Sequence, residues 1–149
     1  MGGKNRILVV EDNSDVRELL VFLLRRSGYE VIEASTGLEA LDQTHTGKPD
    51  LIIMDLGLPK MTGDEATARI KADPSTKHIP VIVNTAFNKQ AESVERAIAA
   101  GAAEIMHKPT EMKVILQMVR RYLSPQNDDV GVPPQLGAFS LQAALGTSR

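Results

Sequence analysis

Short apolar runs rich in β-branched residues alternate along the chain with stretches whose apolar positions fall three or four apart. That alternation predicts a parallel sheet with helices on both faces, an α/β fold. Ile7-Leu8-Val9-Val10 is a first strand. Asn13 or Ser14 then caps a helix to about Arg26, with Val16, Leu19, Leu20, Leu23 and Leu24 at helical spacing and Gly28 to end it. Glu30-Val31-Ile32-Glu33-Ala34 alternates with period two, as a half-buried edge strand does. Thr36 to about His45 makes a short helix around Leu38 and Leu41, and Pro49 resets the chain before the uninterrupted apolar strand Leu51 to Met54. The turn Gly57-Leu58-Pro59 leads into a helix from about Gly63 to Ala72, closed by Asp73-Pro74. Val81-Ile82-Val83 is a fourth strand and about Lys89 to Ala100 a fourth helix, ended by Gly101. Ala103 to Met106 is a fifth strand and Glu111 to Leu123 a fifth helix. The expected architecture is (βα)5, with no sequence repeat.

From Ser124 onward Pro125, Gly131, Pro133, Pro134, Gly137 and Gly146 replace the periodic pattern. The chain thus divides into an expected domain at 1–123 and a Pro/Gly-rich tail or linker at 124–149. Leu136, Phe139, Leu141, Ala144 and Leu145 are compatible with a short docking helix, against the plainer expectation of a disordered tail.

Charge and composition narrow the function classes. With 17 Lys and Arg against 19 Asp and Glu the net charge is −2. No basic field exists to hold nucleic-acid phosphates, so direct DNA or RNA binding is not expected. The absence of cysteine excludes a disulfide framework, a thiolate zinc site and a cysteine nucleophile, and fits a reducing cytoplasm. The longest apolar runs fall far short of the ~18 residues of a membrane span. The first residues lack an apolar targeting stretch, and Arg6 stands where a myristoylation signal has Ser or Thr. A soluble, cytoplasmic chain is expected, with no membrane partner.

Open parallel sheets bind ligands outside the carboxyl ends of their strands. Here strand one is followed by Glu11-Asp12 and strand three by Asp55, strand four ends at Thr85, and strand five runs to Lys108 before Pro109. Each alone has a bland reading, as a helix cap, a strand-end hydroxyl or a lone Lys-Pro. Together they bring three carboxylates, a hydroxyl and an ammonium to one edge from four separate segments. Clustered carboxylates raise one another's pKa unless a cation sits among them. Mg2+, a hard ion with oxygen ligands, fits them better than zinc, because His45, His78 and His107 lie on separate segments. One carboxylate oxygen can then attack phosphorus to give an aspartyl phosphate, a transfer driven by positioning and charge neutralisation.

Val9-Val10-Glu11-Asp12-Asn13, the stretch Asp50 to Gly63, Thr85-Ala86, Gly101-Ala102 and Lys108-Pro109 resemble the receiver domain of bacterial two-component response regulators, over about residues 5–123. The resemblance implies a flavodoxin-like fold with strand order 2-1-3-4-5. It implies a sensor histidine kinase or phosphotransfer protein that donates a phosphoryl group to Asp55, and Mg2+ held directly by Asp12, Asp55 and the backbone carbonyl of Gly57 and through water by Glu11. Thr85 and Lys108 would contact the phosphoryl oxygens, Ala86 would leave them room, and the Lys108-Pro109 bond would be cis. The implied output is an altered face of fourth helix, fifth strand and fifth helix, read by an unknown downstream protein. The chain would act as a monomer or a phosphorylation-dependent dimer, its only chemistry being self-catalysed phosphorylation and dephosphorylation.

Three departures from that pattern stand out. The ring that relatives carry on strand five is Ile105 here, so a threonine-aromatic coupling is replaced by a side chain expected to keep one packing. Asn84 occupies a usually apolar position, either as a satisfied buried amide or in contact with the fourth helix. Thr85 to Gly101 is one residue longer than the commonest spacing, so an altered loop before the fourth helix is expected. Competing readings are a phosphate-independent interaction module, a receiver fragment of a larger regulator or hybrid kinase, and an aspartate-nucleophile phosphatase. The last carries a second aspartate two residues after the nucleophile, where Gly57 stands. A nucleotide cofactor is not expected, since no glycine-rich loop follows the first strand.

Overall fold

A computed structural model describes residues 4–86 and 91–123. Five parallel strands, β1 (Arg6–Val10), β2 (Glu30–Ala34), β3 (Leu51–Met54), β4 (Val81–Ala86) and β5 (Glu104–Lys108), lie in the order β2-β1-β3-β4-β5. They alternate with α1 (Ser14–Arg26), α2 (Gly37–Gly47), α3 (Gly63–Ala72), α4 (Ala91–Ala100) and α5 (Met112–Tyr122). This is the flavodoxin-like doubly wound fold that the resemblance implies.

Strand alternation decides which residue meets which helix. Ile7 and Val9 of β1 pack with Leu20 and Leu24 of α1 and with Ile115 and Val119 of α5. Leu8 and Val10 turn to the other face, against Ala40 of α2 and Ala66 and Ile70 of α3. A third, smaller cluster joins Leu56, Val83 and Ala97, and Ala97 is the only buried residue of α4. Central β3 is covered on both faces, so all four of its residues are buried and its sequence shows no alternation.

Local chemistry sets the element ends. Asn13 caps α1, its Oδ1 accepting from Val16 N at 3.0 Å, and Thr36 caps α2 by accepting from Glu39 N at 3.0 Å. The turn after α1 is made at Gly28, whose φ of 101° few other residues tolerate. β4 and β5 extend beyond the expected Val83 and Met106, because Asn84, Thr85 and Ala86 pair with Met106, His107 and Lys108. Ladder hydrogen bonds thereby hold polar residues in strands that side-chain pattern alone would end early. The expected α4 start at Lys89 and the altered loop before it fall in 87–90, and the tail in 124–149; both lie outside the described residues. At the sheet edge, Glu30 and Glu33 of β2 are met by Arg6 at 2.9 Å, Arg17 at 3.1 Å and Arg25 at 4.0 Å. Among the described residues no helix is long and apolar enough to cross a membrane.

The end of α2 is tied to the residue after α3 by His45 Nε2 and Asp73 Oδ2, 2.9 Å apart. That hydrogen bond, with two more from Ser75, holds the Asp73 carboxyl down to about 2. The same bond, helped by one to the Leu41 carbonyl, holds His45 above its ordinary value. The carboxylate share of this stabilisation is complete above an ordinary Asp value of ~4 and is lost as pH falls through about 2. The imidazole share is complete below an ordinary His value of ~6.5 and is lost as pH rises through the raised midpoint. Asp73→Asn should lower the His45 midpoint toward the ordinary range in an NMR titration; an unmoved midpoint contradicts the pairing.

Candidate functional site

Sheet-like pairing runs one residue past β1 and β3: Glu11 N donates to Ala34 O at 3.0 Å, and Asp55 N to Val10 O at 3.1 Å. Both carboxylates are thereby fixed at the carboxyl edge of the sheet, where Glu11 is 5% and Asp55 7% exposed. Asp12 beside them is exposed. One carboxylate oxygen from each of the three can be chosen so that all lie within 4.8 Å of one another. Lys108, at the end of β5, reaches across, its Nζ 2.7 Å from Glu11 Oε1 and 3.5 Å from Asp55 Oδ2. Backbone amides add to the neutralisation: Asn13 N donates to Glu11 Oε2 at 3.2 Å and Gly57 N to Asp55 Oδ1 at 3.3 Å.

Burial pushes the Glu11 carboxyl up and the nearby Asp55 charge adds to this, while the Lys108 hydrogen bond and charge oppose it without cancelling it. Burial disfavours the Lys108 ammonium, but the Glu11 hydrogen bond and the Asp55 and Glu11 charges outweigh it and hold the amine above its ordinary value. Three acidic oxygen donors that one ammonium cannot fully neutralise are a donor set suited to a hard divalent cation.

Thr85 is fully buried in β4, paired with His107, and Ala86 is paired with Lys108. The Lys108-Pro109 peptide is cis. Glu11, Asp12, Asp55, Gly57 and Lys108 thus converge, with Thr85 and Ala86 on the strand beside Lys108. Ile105 stands apart from them, half-buried against the cluster of Leu56, Val83 and Ala97. Asn84 is buried, and Thr110 Oγ1, in the loop after β5, is placed to donate to its Oδ1 at 3.0 Å or to the His107 carbonyl at 3.0 Å. Next to Lys108, Pro109 and Thr110 an apolar groove of about 350 Å³ opens between α1 and α5, lined by Val16, Leu19, Leu23, Met112 and Ile115.

Residues 7–120 match the family model of the response regulator receiver domain. The chain belongs to this receiver family. Receivers are signalling switches that accept a phosphoryl group, and the phosphate-independent reading is not favoured. This receiver is 38% identical over 117 residues to the polar-differentiation response regulator DivK of Brucella anthropi, spanning 78% of this chain and 94% of that protein. Among solved structures it resembles a response regulator from Chloroflexus aurantiacus, at 32% identity and a TM-score of 0.75 over 83% of this chain and all of that one. The receiver domain of a Pseudomonas aeruginosa sensor histidine kinase, with a magnesium ion coordinated in its active-site cleft, is 28% identical with a TM-score of 0.75 over the same shares.

Three features of the receiver's site carry no sequence signal. The Asn84–Thr110 bond joins residues 26 apart, and Arg17 Nη1 donates to the Glu11 carbonyl at 2.8 Å. Gly63, which reads as a simple helix start, lies against the site's backbone: a Cβ there would sit 2.1 Å from the Asp55 carbonyl oxygen. Gly63→Ala should therefore destabilise the receiver by about 3 kcal/mol in urea unfolding, since backbone cannot move aside as a flexible side chain does. Thr110→Val leaves the buried Asn84 oxygen short of a donor and should cost about 1–2 kcal/mol. Unchanged midpoints in either variant would contradict the packing described.

Proposed function

We propose that Asp55 is the phospho-acceptor of this receiver and that residues 1–123 act as a phosphorylation switch, with 124–149 as its tail. The observation that carries this reading is the buried Asp55 carboxylate sharing the Lys108 ammonium with Glu11 at the sheet edge. An Asp55 oxygen attacks phosphorus of the donor, the new P–O bond forms as the donor's bond to phosphorus breaks, and the donor leaves with that electron pair. Hydrolysis reverses the state: water adds to phosphorus, the P–O bond to Asp55 breaks, and inorganic phosphate departs. No other chemistry is assigned to the chain.

Each neighbour has a part in this reading. Asp12, Asp55 and the Gly57 carbonyl would hold Mg2+ directly and Glu11 through water; when bound, the ion neutralises phosphoryl charge and orients its oxygens. Its presence in the Pseudomonas aeruginosa receiver supports that assignment. Lys108 neutralises the phosphoryl group and loses part of its hold on Glu11. Thr85 donates its hydroxyl to a phosphoryl oxygen, with Ala86 leaving space and Pro109 fixing the approach of Lys108. About two added negative charges then bias a two-state equilibrium toward an altered face of α4, β5 and α5, read by a downstream protein. The donor is a sensor histidine kinase or phosphotransfer protein. The apolar groove between α1 and α5, opening beside Lys108, supports a protein donor, because a donor seated there brings its phosphoryl group alongside Asp55.

With Mg2+ and a small acyl phosphate, intact-mass spectrometry should find one phosphoryl adduct that Asp55→Asn lacks. No adduct on the parent, or an equal one on the variant, sinks the assignment. Lys108→Ala should still bind Mg2+, read by calorimetry, yet lose most of the phosphorylation-induced shifts in its amide spectrum. A collapsed Mg2+ affinity with an intact response would reverse the role given to Lys108.

A further inference from the structure

The Asp64 side chain is 2% exposed, although it lies in the first turn of α3, where acidic residues normally face water. Its Oδ2 accepts from Arg96 Nε of α4 at 2.8 Å, and its Oδ1 has no partner among the described residues. Burial pushes this carboxyl up, but the Arg96 hydrogen bond and charge contribute to holding it below its ordinary value, so it stays ionised. The Thr62 hydroxyl and the backbone amide of Asp64 add to that hold, but Arg96 is the charge set against the buried carboxylate, and α4 cannot withdraw it without stranding that charge.

The α3 end of this pair is fixed to the phosphoryl site. Gly63, the residue before Asp64, donates its N–H to Leu56 O at 2.9 Å, and its Cα lies so close to the Asp55 carbonyl that no Cβ fits between them. Whatever moves the backbone at Asp55 moves the start of α3, and Asp64 with it. The α4 end is lightly held otherwise: Ala97 is its one buried side chain, and Ile98 is 49% exposed. By contrast α3 seats Ala66 and Ile70 fully in the core. Ile105, packed beside Ala97 and Val94, has neither a ring to rotate nor a polar tip to favour exposure.

We propose that Asp64 and Arg96 are the positioning pair that transmits the state of Asp55 to α4 in this chain. The inference rests on Asp55 being the phospho-acceptor and deepens that reading by naming how the signal leaves the site. The pair touches no phosphoryl oxygen. It acts as a tether of fixed length between a helix start clamped to the site and a helix that little else restrains.

The test combines intact mass with amide NMR of the whole chain, using Mg2+ and a small acyl phosphate as the probe. Arg96→Met should still accept a phosphoryl group to the parent's extent, while phosphorylation shifts in Ala91–Ala100 fall about fivefold and those at Thr85 persist. Arg96→Lys, which keeps the charge, should recover part of the α4 response, which a purely packing role would not do. Should Arg96→Met alone unfold α4, the double variant Asp64→Leu with Arg96→Met removes the stranded charge and restores the helix; its α4 response should remain lost. Full α4 shifts in Arg96→Met or in the double variant would overturn the coupling. Absence of any adduct on the parent would overturn the coupling and the phospho-acceptor reading together, so the mass measurement separates the two failures.

Discussion

Two like charges held almost out of water within reach of each other are the constraint around which this receiver is arranged. Glu11 and Asp55 are placed at the carboxyl edge by backbone bonds that continue the sheet past β1 and β3, so neither can retreat into solvent. Their repulsion in a poorly polarisable setting is tolerable only with a cation between them. Lys108 fills that role because β5 runs on to residue 108, and β5 runs that far because β4 carries Asn84, Thr85 and Ala86 in register beside it. The length of two strands and the electrostatics of the site are therefore one problem. Shortening the ladder by two pairs would strand the carboxylates and take Thr85, Ala86 and Lys108 from the sheet edge together.

The fold was legible wherever one periodicity dominated. Leu51 to Met54 reads as a central strand because both of its faces are covered, whereas 30–34 is the expected edge strand without the expected period of two, since Val31 and Ala34 are buried with half-buried Ile32 and exposed Glu33 between them. The apolar pattern was weakest at strand ends, where it stops at Val83 and Met106; Thr85 and Lys108 were placed at the ends of strands four and five as site residues, and cross-strand pairing carries the ladder to them. The carboxylates, Thr85 and Lys108 were recoverable because a parallel sheet delivers its strand ends to one edge, whatever the intervening helices contain. Contacts between helices and between loops had no such rule. Asp64 in a first helical turn looks like an ordinary solvent-facing acid, and nothing local marks Arg96, 32 residues on, as its partner.

The helices are held unequally, and this divides the molecule into a rigid part and a responsive one. Helices α1 and α5 share a continuous cluster of large apolar side chains with all five strands, and α2 and α3 share a second one. Under α4 the third cluster holds only Leu56, Val83 and Ala97, with Val94, Ala102 and Ile105 at its rim. Free energy of local opening follows buried apolar contact, so α4 is the helix that a modest electrostatic change can displace. Ile105 lies at that cluster's rim and adds contact area to it.

The sheet also has an open edge at β2. Strand β2 pairs with a strand on one side alone, and Arg25 Nη2 donates to its Val31 carbonyl at 3.0 Å. Its exposed glutamates, held by arginines from β1 and α1, line that edge with hydrated charge that an incoming strand would have to strip of water. The ion pairs contribute little to folding free energy on a solvent-facing surface. Their consequence is colloidal: the charge they hold along β2 opposes edge-to-edge pairing of one copy with another.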